Sequence, residues 1–501
     1  MKKMTKEVID TLYTQGKLVY ENKTSLSDAT DLILDNYSDH IAKGSARFYI
    51  KLYSDFVSGK TVSWNMNGEL VAYYIDRILE EKGVDEGKPA FESAYGFAIS
   101  KSNKSLIQNL EKVKEKYTTG ADCILSDKET IGCIKSCINF RNFTYPDNLI
   151  ENFYLSLKSK PFTILAGTSG TGKTRLVKLF AEAINAKYKM VPVRPDWSDS
   201  SDLFGHVDLN GQFVPGAVLE FIAKAQADSG KPYILCLDEM NLARVEYYLS
   251  DFLSVIETRE MVDGKIVSDP LVTAEKYGAD SAAMSKYGEI RFPQNLYLVG
   301  TVNMDETTFP FSKKVLDRAN TIEFDYVDLS SVQNTDATKA DPITAPNSFL
   351  ETSYLFLKQC MDEDPDYVKG VCAELQKINA VLQKANAHVG YRVRDEIVFY
   401  LMNNKKAGLL SDDEALDNEI MQKILPRIQG SSVSVKDMLC ELFKILAGDY
   451  EGYQTKNNDV AVKMKEKLND KGANVKYPKS ARKVAFMVRR FEEDGFTSYW
   501  L

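Results

Sequence analysis

Histidine is nearly missing from this chain: His40, His206 and His388 are the three in 501 residues. That scarcity speaks against a histidine-built metal centre and against an internal nuclease of the HNH type. No apolar run approaches the roughly 20 residues that span a bilayer, and the opening Met1-Lys2-Lys3-Met4-Thr5-Lys6 lacks the apolar core of a signal peptide. A cytoplasmic protein without membrane contact is expected. Positive charge is not in excess either. Lys and Arg number 63 against 71 Asp and Glu, a net charge of -8, so any contact with DNA must be local. The seven cysteines supply no disulfide framework. Cys123, Cys133 and Cys137 cluster without a fourth ligand nearby, and they read as reduced thiols. Glu86-Gly87-Lys88 lies in the charged stretch Glu80–Lys88 and reads as a solvated turn, so the chain is expected to cut nothing itself.

Against these absences stands one complete motif. Gly167-Thr168-Ser169-Gly170-Thr171-Gly172-Lys173-Thr174 is a GxxxxGK[ST] phosphate-binding loop. An apolar run, Pro161-Phe162-Thr163-Ile164-Leu165-Ala166, precedes it as a buried strand, and a helical pattern, Arg175 to Phe180, follows. The glycines turn backbone N–H groups toward a phosphate and the helix N-terminus adds partial positive charge. Lys173 is placed to reach the β/γ-phosphates and Thr174 to hold Mg²⁺. The expected ligand is GTP or ATP with Mg²⁺; a loop that reads only phosphates does not choose between the bases.

Downstream residues supply the chemistry that a binding loop alone lacks. Tyr233-Ile234-Leu235-Cys236-Leu237-Asp238-Glu239 is a second buried strand ending in two acids, the Walker B pattern. Asp238 is expected in the metal shell and Glu239 at the attacking water, since phosphoryl transfer is mostly positioning and charge stabilisation. A third strand, Leu296 to Val302, delivers Asn303 to its C-terminal end, the edge at which open α/β sheets bind ligands. Asn303 is therefore read as a sensor of the γ-phosphate or the water.

In this order the motifs resemble the AAA+ ATPases of the branch containing MoxR and McrB. Asp238-Glu239-Met240-Asn241-Leu242-Ala243-Arg244-Val245-Glu246 and Asn303-Met304-Asp305 are similar to the McrB-like subunits of restriction systems, over roughly residues 150–430. The resemblance implies an α/β AAA+ core with a helical lid, assembly into a hexameric ring, DNA translocation, and a separate McrC-like nuclease as partner. It also implies that Arg318, in Leu316-Asp317-Arg318, is an arginine finger reaching a neighbour's nucleotide, with Arg244 or Arg259 next in line. Arg394, or Arg392 beside it, matches the lid arginine called sensor 2. A MoxR-like ATPase that remodels protein partners is the alternative.

The organisation along the chain follows. Residues 1–118 read as a mainly helical recognition or accessory domain, 119–150 as a connector, 151–328 as the nucleotide core, 329–347 as a linker, 348–430 as the lid and 431–501 as a C-terminal helical region. Asp202 to Gly216, with its Asn210-Gly211 turn signal, reads as a β-hairpin inserted between the second and third core strands. Met261 to Pro293 reads as a second insertion with a hairpin arm at Gly288–Pro293. Two groups are candidate DNA contacts: Arg47, Tyr49, Lys51, Lys60 and Trp64, and the stretch Lys456 to Arg490, whose 11 bases against 3 acids give an excess of +8.

Overall fold

The computed structural model describes residues 4–60, 67–100, 103–116, 125–262, 265–304, 309–324, 340–448, 459–470 and 474–500. They form two compact units, Met1–Ser126 and Asp127–Leu501.

The first unit holds helices α1 (Lys6–Tyr20), α2 (Leu26–Tyr37), α3 (Lys43–Val57), α4 (Gly68–Ser100) and α5 (Lys104–Lys116). Thr5 and Ser25 cap α1 and α2, accepting hydrogen bonds from the N–H groups of Val8 and Asp28. Helix α4 breaks at Gly83, where φ is 80° and ψ is 170°. Contrary to the expected turn, Glu86-Gly87-Lys88 lies within α4: the bend falls at Gly83 instead, and the helix continues through the triplet and Pro89. The helices meet around tyrosines. Tyr13 packs edge-on against Tyr53 and Tyr74, each at 5.2 Å, and Tyr74 donates to the carbonyl of Tyr49. Tyr49 is therefore a core residue whose hydroxyl accepts from the N–H of Asn67, while Arg47, Lys51 and Lys60 are exposed. Trp64 lies outside the described residues.

The second unit is built on a five-stranded parallel sheet: β1 (Phe162–Gly167), β2 (Lys187–Pro192), β3 (Tyr233–Asp238), β4 (Leu296–Asn303) and β5 (Asn320–Phe324), in the order β5-β1-β4-β3-β2. Every residue of β1 is buried, as a central parallel strand covered on both faces requires. At the edge, β2 leaves Lys187, Met190 and Pro192 exposed. Alternate residues feed two cores. Ile164, Leu235 and Leu298 point into one, and Leu165, Ile234 and Val299 into the other.

The second of these cores joins the sheet to helices on that face: α6 (Asp127–Phe140), α7 (Leu149–Ser159) and α8 (Lys173–Ala183). Residues 127–140, expected in a connector, thus form a helix whose Ile134 and Ile138 belong to the core. Further along the chain come α9 (Leu219–Ala227), α10 (Pro365–Gln383), α11 (Tyr391–Ala407), α12 (Asp412–Glu419), α13 (Val433–Ala447), α14 (Val460–Asn469) and α15 (Pro478–Asp494). Helices α10 to α15 share the core of α6 to α8, with Leu416, Leu439, Val484 and Tyr499 in one cluster. A short antiparallel pairing of Gln429–Gly430 with Thr497–Ser498 returns the chain end to the segment between α12 and α13. Regions 348–430 and 431–501 are thus packed as one helical module.

Both expected hairpins form. Gly205–Val207 pairs with Phe213–Pro215 between β2 and β3, and Pro270–Val272 pairs with Ile290–Arg291 between β3 and β4, next to a further pair, Glu260–Val262 with Lys265–Val267.

Candidate functional site

Three strand ends meet at one edge of the sheet. Gly167 at the end of β1 stands opposite Asn303 of β4, and β4 pairs in turn with β3, whose last residue is Asp238. Loops diverging from such an edge leave a crevice for ligands.

The phosphate loop leaves β1 and folds as its glycines dictate. Gly170 and Gly172 have φ of 81° and 90°, a region that side chains with a Cβ rarely enter. At Gly167 a Cβ would stand 2.4 Å from the carbonyl oxygen of Phe324 on β5. Thr168, Ser169 and Gly170 form the exposed crest, and Thr171 closes the turn by donating to the carbonyl of Thr168 at 3.0 Å. Lys173 opens α8 and is nearly buried. Its ammonium donates to the carbonyls of Gly167 and Thr168 at 3.0 and 2.6 Å. Burial lowers its pKa, with Asp238 and Glu239 pulling the other way. Tyr145 fastens the loop from outside, its hydroxyl donating to the carbonyl of Gly172 at 3.2 Å.

A chain of hydrogen bonds then runs across the strand ends. Thr174 Oγ1 and Thr301 Oγ1 both donate to Asp238 Oδ1, each at 2.6 Å. Thr301 Oγ1 accepts from the N–H of Glu239 at 3.0 Å, and Asn303 Nδ2 donates to Glu239 Oε1 at 2.7 Å. Asn241 Nδ2 in turn donates to the carbonyl of Asn303 at 3.0 Å. Glu239 itself has φ 53° and ψ 48°, a left-handed conformation costing a non-glycine residue about 1–3 kcal/mol and found most often where a site demands a particular aim. The structure thus brings together Lys173, Thr174, Asp238, Glu239 and Asn303. Asp305 lies outside the described residues.

The oxygens of Thr174 and Asp238 suit Mg²⁺, a hard cation that takes one or two carboxylates and completes its shell with phosphate oxygens and water. Among the described residues no group of three or more His, Cys, Asp or Glu side chains could hold a metal unaided. The donor set fits a metal that arrives with a phosphate ligand.

Two clefts adjoin the loop. The first, of about 510 Å³, is lined by Gly167, Thr168, Met304, Lys479, Arg482, Lys483, Tyr499 and Trp500, among others. The second, of about 580 Å³, runs past Thr171 to Tyr145, Pro146, Asn148, Asn152, Met421 and Gln422, and shares Glu323, Met421 and Lys479 with the first. Three cations of α15 thus line the first cleft with the phosphate loop, Lys483 paired there with Glu323 and Lys479 donating to Asn418 Oδ1 at 2.7 Å.

The lid arginines expected for that role stand elsewhere. Arg394 pairs with Asp395 at 2.6 Å and lies 4.9 Å from the centre of the Tyr391 ring, and Arg392 Nε is 2.9 Å from Glu257 Oε2. Neither lines the two clefts, because both sit in the first turn of α11 while α15 covers the loop. Arg318 is half-turned into the protein, with Nε and Nη1 donating to the carbonyls of Leu253 and Lys314 at 2.8 Å each. Of its two alternates, Arg259 is half-buried, with Nε donating to the carbonyl of Ile256 at 3.2 Å and desolvation lowering its pKa to about 10, whereas Arg244 is exposed and lies near the rings of Tyr247 and Phe309.

Thr301 and Tyr145 are not singled out from the sequence, where the α15 cations read as part of a DNA-contacting tail. Thr301 lies two residues before Asn303 on one strand, so it shares its face, and the period-2 rule could have found it. Lys479, Arg482 and Lys483 follow the i, i+3, i+4 spacing of a single helix face, but nothing in the sequence says what that face meets. The other described cations of the basic tail lie outside the clefts, and several are paired: Lys476 with Glu374, Arg489 with Glu493 and Arg490 with Asp494. Lys456 and Lys471 lie outside the described residues.

Comparison with known proteins agrees with this geometry. Residues 163–319 match the model of the AAA domain, dynein-related subfamily, and residues 339–496 match a domain of unknown function (DUF8727). A stretch of 147 residues, 28% of the chain, is 26% identical to midasin of Dictyostelium discoideum, of which it spans 2%. A solved structure from Cytophaga hutchinsonii, described as a candidate ATPase, aligns with 64% of this chain and 91% of its own at 14% identity and a TM-score of 0.39, too low to bear on function. Residues 163–319 thus form an AAA+ α/β core similar to the dynein-related subfamily, with helical regions before and after it.

Proposed function

We propose that this chain is a Mg²⁺-dependent nucleoside triphosphatase working as a subunit of a homo-oligomeric ring. The observation that carries the reading is the unbroken hydrogen-bond chain from Thr174 through Asp238, Thr301 and Glu239 to Asn303, set beside the phosphate loop. Backbone N–H groups of residues 168–174 and the Lys173 ammonium bind the phosphates. Thr174 and Asp238 would hold Mg²⁺, which neutralises charge on the β- and γ-phosphate oxygens. Glu239, aimed by Thr301 and Asn303, orients the attacking water and accepts its proton. Arg482, with Lys479 and Lys483 beside it, supplies positive charge from the helical module. The second cleft offers the base the flat ring of Tyr145, the apolar side chain of Met421 and a polar group in Asn148, which suit GTP or ATP. Arg318 of a neighbouring copy completes the site. The test is hydrolysis of GTP and ATP with Mg²⁺ by wild type and by Lys173→Ala. Equal turnover by the two proteins overturns the reading.

As to what the energy drives, the wording of residues 238–246 and 303–305 supports an McrB-like motor that translocates DNA for a separate McrC-like nuclease. One observation favours the MoxR-like alternative, remodelling of protein partners. The hairpin Gly205–Pro215 presents a fully exposed Leu209 flanked by exposed Val207 and Val214, and the segment from Gly205 to Gly216 contains no lysine or arginine. A phosphate backbone finds no counter-charge on that tip, while a polypeptide finds apolar surface. Stimulation of hydrolysis by double-stranded DNA supports the first reading. Stimulation by an unfolded polypeptide such as reduced casein, with DNA inert, supports the second.

A further inference from the structure

Glu257 sits in the turn after the helix Ser250–Val255, and three cations from separate parts of the unit converge on it. Its Oε2 is 2.9 Å from Arg392 Nε on α11. Its Oε1 is 3.3 Å from Lys160 Nζ, at the start of β1, and 3.8 Å from Arg318 Nε. Lys160 also pairs with Glu396 of α11, which pairs in turn with Lys423 just beyond α12. Beside Arg318, Asp317 is bound at 3.0 Å by Arg427 of the helical module.

A carboxylate has two oxygens, and a guanidinium bound by both gains geometry as well as charge. Shared three ways, Glu257 gives its shortest contact to Arg392 and leaves Arg318 with the longest, at the outer limit of an ion pair. The two arginines are rivals for one acid. With Arg392 engaged, Arg318 is bound closely by two backbone carbonyls among the described residues, and an arginine held by neutral acceptors is readily drawn to an anion. With Arg392 withdrawn, the carboxylate is released to capture Arg318.

We infer that Glu257 is a positioning residue through which helix α11 sets the availability of Arg318 to a neighbouring subunit. The inference rests on the reading of Arg318 as the arginine finger. It gives the helical module a route to the next subunit's site that does not pass through its own nucleotide.

The experiment uses the full-length protein and its variants Arg392→Gln, Arg392→Lys, Glu257→Gln and the Arg392→Gln/Glu257→Gln double, with Lys173→Ala as a mixing partner and with steady-state hydrolysis and binding of a fluorescent nucleotide as readouts. Arg392→Gln should lose about tenfold in kcat at unchanged nucleotide affinity, well short of the 10³–10⁵ that a finger is worth in full. The double variant should regain most of that loss, because the capturing carboxylate is gone. Mixing Arg392→Gln with Lys173→Ala subunits should also restore turnover, since the latter lend unaltered fingers. Arg392→Lys, which keeps a cation on Glu257, should stay closer to wild type. A double variant as slow as Arg392→Gln, or no rescue by Lys173→Ala subunits, overturns the inference and leaves Arg392 acting within its own site. Arg318→Ala hydrolysing like wild type would remove the finger reading itself, a result these variants alone do not give.

Discussion

Glu239 holds a strained backbone conformation, and the strain has a visible use. Its N–H is tied to Thr301 and its carboxylate to Asn303, so the side chain is aimed before any substrate arrives. Glu239→Gln should therefore bind nucleotide as wild type does and hydrolyse at least about 10²-fold more slowly, since a positioned base contributes typically 10²–10⁴. Lys173→Ala should fail at the earlier step, binding, which retention of a labelled triphosphate on a filter would reveal. Arg482 and Arg394 make a sharper comparison. Arg482 lines the cleft at the phosphate loop and Arg394 is paired with Asp395, so Arg482→Ala should lower kcat or raise KM well beyond any effect of Arg394→Ala. The reverse ranking would return the lid role to α11.

Helices α11 and α12 carry charge into a dry interior, and two glutamates there answer to pH in opposite senses. Burial alone would raise the pKa of Glu396, but Lys160 and Lys423 outweigh it and hold the carboxyl at about 2. A depressed acid stabilises the fold above its unfolded value, and that stability is lost only as pH falls toward about 2. Glu419 ends α12 fully buried, and neither of its oxygens meets a hydrogen-bond donor among the described residues. Burial pushes its carboxyl up to about 8 against Lys423, with Glu396 adding to the rise. The folded chain thus binds one proton more than the unfolded chain between the ordinary value of 4.5 and about 8. Its contribution is complete below the lower value and declines as pH rises through the upper one, by at most about 1.4 kcal/mol per unit. Glu419→Gln keeps the neutral form at every pH. Thermal melts from pH 5 to pH 8.5 should show wild type losing more of its Tm than the variant, and parallel curves would exclude the assignment.

For the whole molecule, the proposed finger role of Arg318 predicts an activity that depends on assembly. Specific activity should rise with subunit concentration, and Arg318→Ala should lose about 10³-fold or more if its guanidinium completes a neighbour's site. Mixing Arg318→Ala with Lys173→Ala subunits should restore part of the activity, because some interfaces regain one intact loop and one intact finger. Should Arg318→Ala prove fully active, the exposed Arg244 becomes the next candidate, ahead of the half-buried Arg259. Recognition belongs to parts of the chain whose surfaces are less telling. In the first unit Tyr49 is committed to the core, so a nucleic-acid role there would rest on Arg47, Lys51 and Lys60 alone among the described candidates. Deleting residues 1–118 should leave basal hydrolysis intact and remove whatever target preference the protein has, and a truncated protein that still discriminates its target would assign that role elsewhere.

The nucleotide core was legible because its signals are local. A buried parallel strand reads as a continuous apolar run, a phosphate loop needs glycine at fixed places, and Lys173, Thr174, Asp238, Glu239 and Asn303 each sit at a strand end or helix start that the pattern itself marks. The Gly205–Pro215 hairpin was open to reading from turn chemistry and alternation, whereas the partner of Ile290–Arg291, Pro270–Val272, lies beyond an intervening helix and carries no such local signal. Long-range packing decided the rest. Arg394 and Arg482 both stand near the start of a helix, and only long-range packing, with α15 against α12, α13 and α14 and Thr497–Ser498 paired to Gln429–Gly430, decides which one lines the cleft at the phosphate loop. In the same way Tyr49 shows helical spacing compatible with a stacking platform or a core. A helix period specifies which residues share a face and leaves open what that face is pressed against, since that depends on segments hundreds of residues away.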